Sequence, residues 1–120
     1  MLHMPKVAPR RRANRTAPHN PQLTFADFQS LIRERYYKTD AARGVPGTFM
    51  WLAEEFGELA SALMENAPGQ KPTKAQRANL EEEFADVFAW LTTLANIHDV
   101  DLARAMTKYT DVRRVSGVKA

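Results

Sequence analysis

The chain contains no cysteine. That excludes disulfides and thiolate metal sites, and it fits a reducing compartment. No run of 18 apolar residues occurs, so no transmembrane helix is expected. The basic start is followed by prolines and arginines rather than by an apolar stretch, which departs from a signal-peptide pattern. A cytoplasmic location is the expectation. Nothing alternates polar with apolar residues at period two over a useful length, which argues against a half-buried sheet. No repeat of solenoid length is visible.

What is present is a chain of 120 residues, 44% of them hydrophobic, enough for one domain with a core. The formal charge of +3 hides a division. Residues 1–22 hold Lys6, Arg10, Arg11, Arg12 and Arg15 and no acid, while the remainder carries 12 bases against 14 acids. The body is therefore mildly acidic and the basicity lies in an arm. Pro5, Pro9, Pro18 and Pro21 keep that arm from forming a stable helix. It reads either as a disordered extension, with Met4 available as a second start, or as a tether making weak nucleic-acid or partner contacts.

Helix signals begin after the arm. Thr24 with Asp27 makes a capping box, followed by Phe25, Phe28, Leu31, Ile32 and Tyr36 at helical spacing to about Lys38. Gly44-Val45-Pro46-Gly47 reads as a loop. Thr48 can cap a second helix to about Asn66, ended by Pro68, Gly69 and Pro72. Thr73 with Gln76 opens a third helix to about His98, and Asp101 can cap a fourth through about Thr110. The expectation is an all-α, four-helix bundle over residues 23–112, with a frayed tail at 113–120, completed by oligomerisation. Four helices in so short a chain bury a modest core, and Trp51, Tyr36 and Tyr37 are more aromatic surface than a monomer comfortably exposes.

Two carboxylate clusters stand out, one on each of the two central helices: Glu54-Glu55-Phe56-Gly57-Glu58 and Glu81-Glu82-Glu83-Phe84-Ala85-Asp86. In each, acids three apart share one side of the helix and repel. At about 100° per residue, Glu55 lies roughly 80° and Glu58 roughly 140° from the stripe Phe49, Leu52, Phe56, Leu59 and Leu63. Glu83 lies roughly 75° and Asp86 roughly 135° from the stripe Leu80, Phe84, Val87, Phe88, Leu91 and Leu94, on the same rotational side. Glu55/Glu58 and Glu83/Asp86 are thus matched pairs flanking a shared core. Four hard oxygen donors without cysteine or histidine suit Mg²⁺, with Mn²⁺ as a substitute. The alternative reading is two solvated acidic faces.

The segments Leu52–Leu63 (LAEEFGELASAL) and Leu80–Met106 (LEEEFADVFAWLTTLANIHDVDLARAM) resemble MazG-like nucleoside triphosphate pyrophosphohydrolases. The family signature is EExxE followed by ExxD, here Glu54, Glu55, Glu58, Glu83 and Asp86. The resemblance implies an all-α fold, a homodimer or homotetramer, and Mg²⁺-dependent hydrolysis of an NTP or dNTP to the monophosphate and pyrophosphate. It implies Glu55, Glu58, Glu83 and Asp86 as metal ligands. Lys108 occupies the place of a lysine found in many relatives. Val112 stands where several relatives carry Asn before an arginine, here Arg113, and the cysteine-rich tail of other relatives is absent.

A triphosphate cannot sit on carboxylates unless a cation bridges them. Glu54 is the extra acid, suited to general-base or outer-shell work alongside Glu55, or simply solvated. Lys108, Arg113 and Arg114 can contact phosphates as a point charge and forks, or complement a helix C-terminus. Tyr36, Tyr37 and Trp51 can stack on a base or pack in a core. The competing functional class is a non-catalytic helical interaction module or a nucleotide-binding regulatory module.

Overall fold

The computed structural model describes residues 19–114. Most of the basic arm and of the C-terminal tail lies outside the described residues. The described chain is all-α: α1 spans Phe25–Glu65, α2 Lys74–Ile97, α3 Leu102–Ala105 and α4 Thr107–Thr110.

Local capping chemistry sets the helix starts. Thr24 accepts from the Asp27 N–H at 3.0 Å while Asp27 accepts from the Thr24 N–H. Thr73 and Gln76 repeat the arrangement at the head of α2. Asp101 accepts from the Arg104 N–H and opens α3. Each such pair satisfies amide donors that the first turn leaves without an intrahelical partner.

Two expectations change. The first and second expected helices are one element with a single non-helical residue, Gly44, at φ 79 and ψ 179. The first arm continues past Lys38 to 43, since Ala41 and Ala42 favour helix and Asp40 pairs with Arg43 one turn on. Pro46 falls in the first turn of the second arm, where its missing N–H removes no bond. Thr48 is therefore not a cap. It is buried inside the helix and donates its hydroxyl to the Gly44 carbonyl at 2.7 Å. The fourth expected helix is two single turns, α3 and α4, divided at Met106.

The two long helices pack along each other, and α3 returns onto α1. At one end a polar knot holds them. Gln29 donates to Asn96 Oδ1 at 3.0 Å and to the Val100 carbonyl at 2.6 Å, and accepts from the Leu102 N–H at 2.9 Å. Arg33 reaches the Asn96 carbonyl and Asp99. At the other end Asn66, the C-cap of α1, donates to the Gln76 carbonyl at 3.3 Å. Between the knots Leu52 and Trp90 are buried, with Tyr36, Trp51, Val87, Ala89 and Leu94 packed around them.

The interior is unusually polar. Among the described residues six apolar side chains are buried, and so are Asp40, Thr48, Glu55, Glu83, Thr92, Thr93 and Asn96. Buried polar groups cost free energy unless they are bonded, so this interior serves a site more than a core.

A methyl group placed on Gly44 would make only ordinary van der Waals contact, with Pro46 Cδ at 4.0 Å, so backbone conformation and not crowding demands glycine there. Its φ/ψ region is essentially glycine-only and costs other residues about 1–3 kcal/mol. Gly44→Ala should therefore lower unfolding free energy by about that amount, read from the urea midpoint. An unchanged midpoint would show that the kink tolerates a side chain.

Candidate metal centre between the long helices

Glu55 and Glu58 project one turn apart from the second arm of α1, and Glu83 and Asp86 one turn apart from α2. Carboxylate oxygens of Glu55, Glu83 and Asp86 all lie within 4.8 Å of one another. Those of Glu54, Glu55 and Glu58 form a second such group. Glu55 belongs to both. It is 0% exposed, Glu83 is 8% exposed, Asp86 and Glu58 are half-buried, and Glu54 faces solvent.

The helices are turned differently from the expectation of carboxylates flanking an apolar core. On the second arm of α1 the buried positions are Thr48, Leu52, Glu55 and Ala62, so the face that meets α2 centres near Glu55. That face is rotated by roughly 65° from the apolar stripe, by the same wheel geometry. On α2, from its start through Trp90, the buried residues are Leu80, Glu83 and Trp90, and the rotation there has the same sense; beyond Trp90 burial spreads around the helix at Thr92, Thr93, Ala95 and Asn96. Phe49, Phe56, Leu63, Phe84 and Leu91, expected in the core, keep 45–55% of their surface exposed. The physical reason is the material at the interface. Thr48 and Ala62 are small enough for close approach, and Trp90 stacks on Trp51 with ring centroids 6.1 Å apart and planes 9° from parallel.

Three carboxylates crowded together, two of them buried and one half-buried, repel when ionised by an amount on the order of a few kcal/mol per pair at the effective dielectric of protein sites. A divalent cation reverses the sign of that interaction. The donors are all hard oxygens, the set that suits Mg²⁺ or Mn²⁺. The residues present therefore fit a metal centre.

Other sequence-derived site residues fall elsewhere. Lys108 is exposed on α4, its ammonium 5.5 Å from the Tyr109 ring centroid. Arg113 engages Asp111 with both Nε and Nη2, at 3.1 and 3.0 Å, and holds that carboxyl below its ordinary value. Its fork must leave Asp111 before it can grip a phosphate. Tyr36 and Trp51 pack around Leu52 and Trp90, and Tyr37 receives the Arg33 guanidinium at 4.6 Å.

The family model of the MazG nucleotide pyrophosphohydrolase domain matches residues 46–112. The chain belongs to the MazG family. The match runs from the kink through the last turn and contains all five acids of the two carboxylate groups. It brings nucleotide pyrophosphohydrolase activity in the general sense, and members of the family typically depend on a divalent metal. No curated protein matches the chain. Among the described residues no helix of this MazG protein is long and apolar enough to cross a membrane.

Sequence reasoning missed Asp40 and Arg43, which lie one turn before the matched stretch. Both are buried, and the two side chains are ion-paired. The signal was an acid three residues ahead of a base, directly before a Gly-x-Pro break. Burial pushes the Asp40 carboxyl above its ordinary value, outweighing the adjacent Arg43 charge and the hydrogen bonds from Thr93 and Arg43. The folded protein thus holds this proton more tightly than the unfolded chain. The stabilising contribution is full below the unfolded value near 3.8 and is lost as pH rises through the raised folded value. Wild type should accordingly lose stability relative to Asp40→Asn between that pH and neutrality. Paired thermal melts across the range test this, and a gap moving in favour of wild type as pH rises would show that the Arg43 charge dominates.

Proposed function

We propose that this MazG protein is a Mg²⁺-dependent nucleoside triphosphate pyrophosphohydrolase that converts an NTP or dNTP to the monophosphate and pyrophosphate. The observation that carries the reading is the fully buried Glu55, shared by two carboxylate groups drawn from two helices. A solvated acidic face has no use for a buried glutamate at its centre.

Glu55, Glu58, Glu83 and Asp86 would hold Mg²⁺, with Mn²⁺ as a substitute. When bound, such an ion supplies neutralisation of the triphosphate and activation of a water. Glu54 is exposed beside Glu55 and Glu58, and in this reading it would serve as the general base that orients a water and accepts its proton. Lys108 steadies a phosphate as a point charge, and Arg113 adds a fork once released from Asp111. The buried seam limits competing water around the acids, and this strengthens every charge interaction within it.

The catalytic unit is residues 23–112, preceded by the basic arm of 1–22 and followed by a tail at 113–120. The unit acts as a homodimer or homotetramer. Phe49, Phe56 and Leu63 on α1, with Phe84 and Leu91 on α2, present large half-exposed apolar side chains, more than a monomer keeps in water. The arm makes at most weak, salt-sensitive contact with nucleic acid.

Glu55→Gln should leave the helical signal intact. Its turnover of a nucleoside triphosphate at saturating Mg²⁺ should fall by more than the roughly 10–100-fold typical of losing an outer-shell partner of a metal. Near-wild-type turnover in that variant would sink the assignment. Sedimentation at micromolar concentration should show a dimer or a larger closed assembly, and a fully active monomer would contradict the proposed burial of the stripe.

A further inference from the structure

The carboxylate centre works only if the second arm of α1 is turned so that Glu55 faces Glu83 and Asp86. Apolar packing alone does not favour that turn, because it leaves Phe49, Phe56 and Leu63 half-exposed. Something directional must hold it. One side-chain knot is built for this task, about three turns before Glu55, at the kink.

Asp40 is 1% exposed and the Arg43 side chain 7%. Arg43 donates from Nη2 to Asp40 and from Nε to Thr48 Oγ1 at 3.1 Å. Thr48 passes the connection to the Gly44 carbonyl, so the guanidinium spans the break and ties the two arms of α1 together. The same guanidinium lies 4.9 Å from the Trp90 ring centroid, and Asp40 accepts from Thr93. Both of those partners belong to α2. Trp90 is one turn beyond Asp86 and two beyond Glu83, and Thr48 is two turns before Glu55. A planar fork with fixed donor directions, stacked on an indole, resists rotation in a way that interchangeable apolar contacts do not.

We propose that Asp40 and Arg43 are a positioning pair for the carboxylate centre, setting how the second arm of α1 is turned against α2. The pair's proposed work is to orient the arm that carries the acids. A buried ion pair is weak evidence of stabilisation, since well-packed apolar side chains of similar size often do as well or better. Its use here is registry. The proposal rests on the metal-centre reading above.

The test compares full-length wild type with Arg43→Met, Arg43→Lys and the double variant Asp40→Asn/Arg43→Met, with Glu55→Gln as a reference. Free Mn²⁺ is measured by electron paramagnetic resonance in the absence of nucleotide, beside thermal midpoint and turnover. Wild type should bind Mn²⁺ and Glu55→Gln should bind it much more weakly. The double variant, which leaves neither charge buried alone, should melt near wild type and yet bind Mn²⁺ about ten-fold more weakly, the scale of losing an outer-shell support. Arg43→Lys keeps the charge without the fork and should weaken binding several-fold. A folded Arg43 variant with wild-type Mn²⁺ affinity overturns the proposal. So does loss of folding in all three, since the pair would then hold the fold and not the site. If Glu55→Gln binds Mn²⁺ as wild type does, the metal-centre reading itself fails, and the two failures are told apart.

Discussion

The packing of the second arm of α1 against α2 through Glu55 and Glu83 is the constraint on which the rest of the molecule depends. Ordinary helix pairs bury their apolar stripes and leave acids to water. Here the seam encloses carboxylates, and much of the apolar stripe is displaced to the outside. That arrangement is costly for an isolated chain. Under the proposed function, a cation in the seam and a second protein surface over the stripe would offset that cost, so that catalytic centre and assembly would both follow from one rotation.

The surrounding polar contacts follow from the same constraint. A helix pair joined by a modest apolar core needs other means of keeping its register. Gln29 and Asn96 clamp one end, Asn66 and Gln76 the other, and the Asp40–Arg43 knot lies at the kink between them. Each uses directional hydrogen bonds where a larger protein would use bulk. The Gly44 break contributes by letting one continuous element present two differently aimed arms to α2. The MazG match begins just after that break, so the arm of α1 that carries the acids lies within it and the arm that carries Asp40 and Arg43 lies before it.

Much was legible in the sequence because it is governed by neighbours along the chain. Capping at Thr24, Thr73 and Asp101 depends on a side chain reaching an amide three residues on, and all three occur. The acids at 55, 58, 83 and 86 were marked by their spacing and by their phase against the apolar stripes, since three residues span about one helical turn in any surroundings. The all-α class followed from periodicity. The Gly44-Val45-Pro46-Gly47 segment was read as a loop because glycine and proline punctuate most chains. Proline is harmless in a first turn, though, and one glycine at positive φ suffices for the bend.

What only the tertiary structure decided is rotation and pairing. Hydrophobic phase indicates which side of a helix is apolar, but not which side another helix covers. Small Thr48 and Ala62 and the Trp51–Trp90 stack lie on the side that is covered, and that side carries Glu55. The fates of Arg43 and Arg113 were equally invisible, for one fork is buried against an indole and the other is occupied by Asp111 two residues away. The sequence by itself determined where helices start and which acids line up. The fold decided which of those acids share a dry seam, because burial is set by what packs opposite a residue and not by its own position on a wheel.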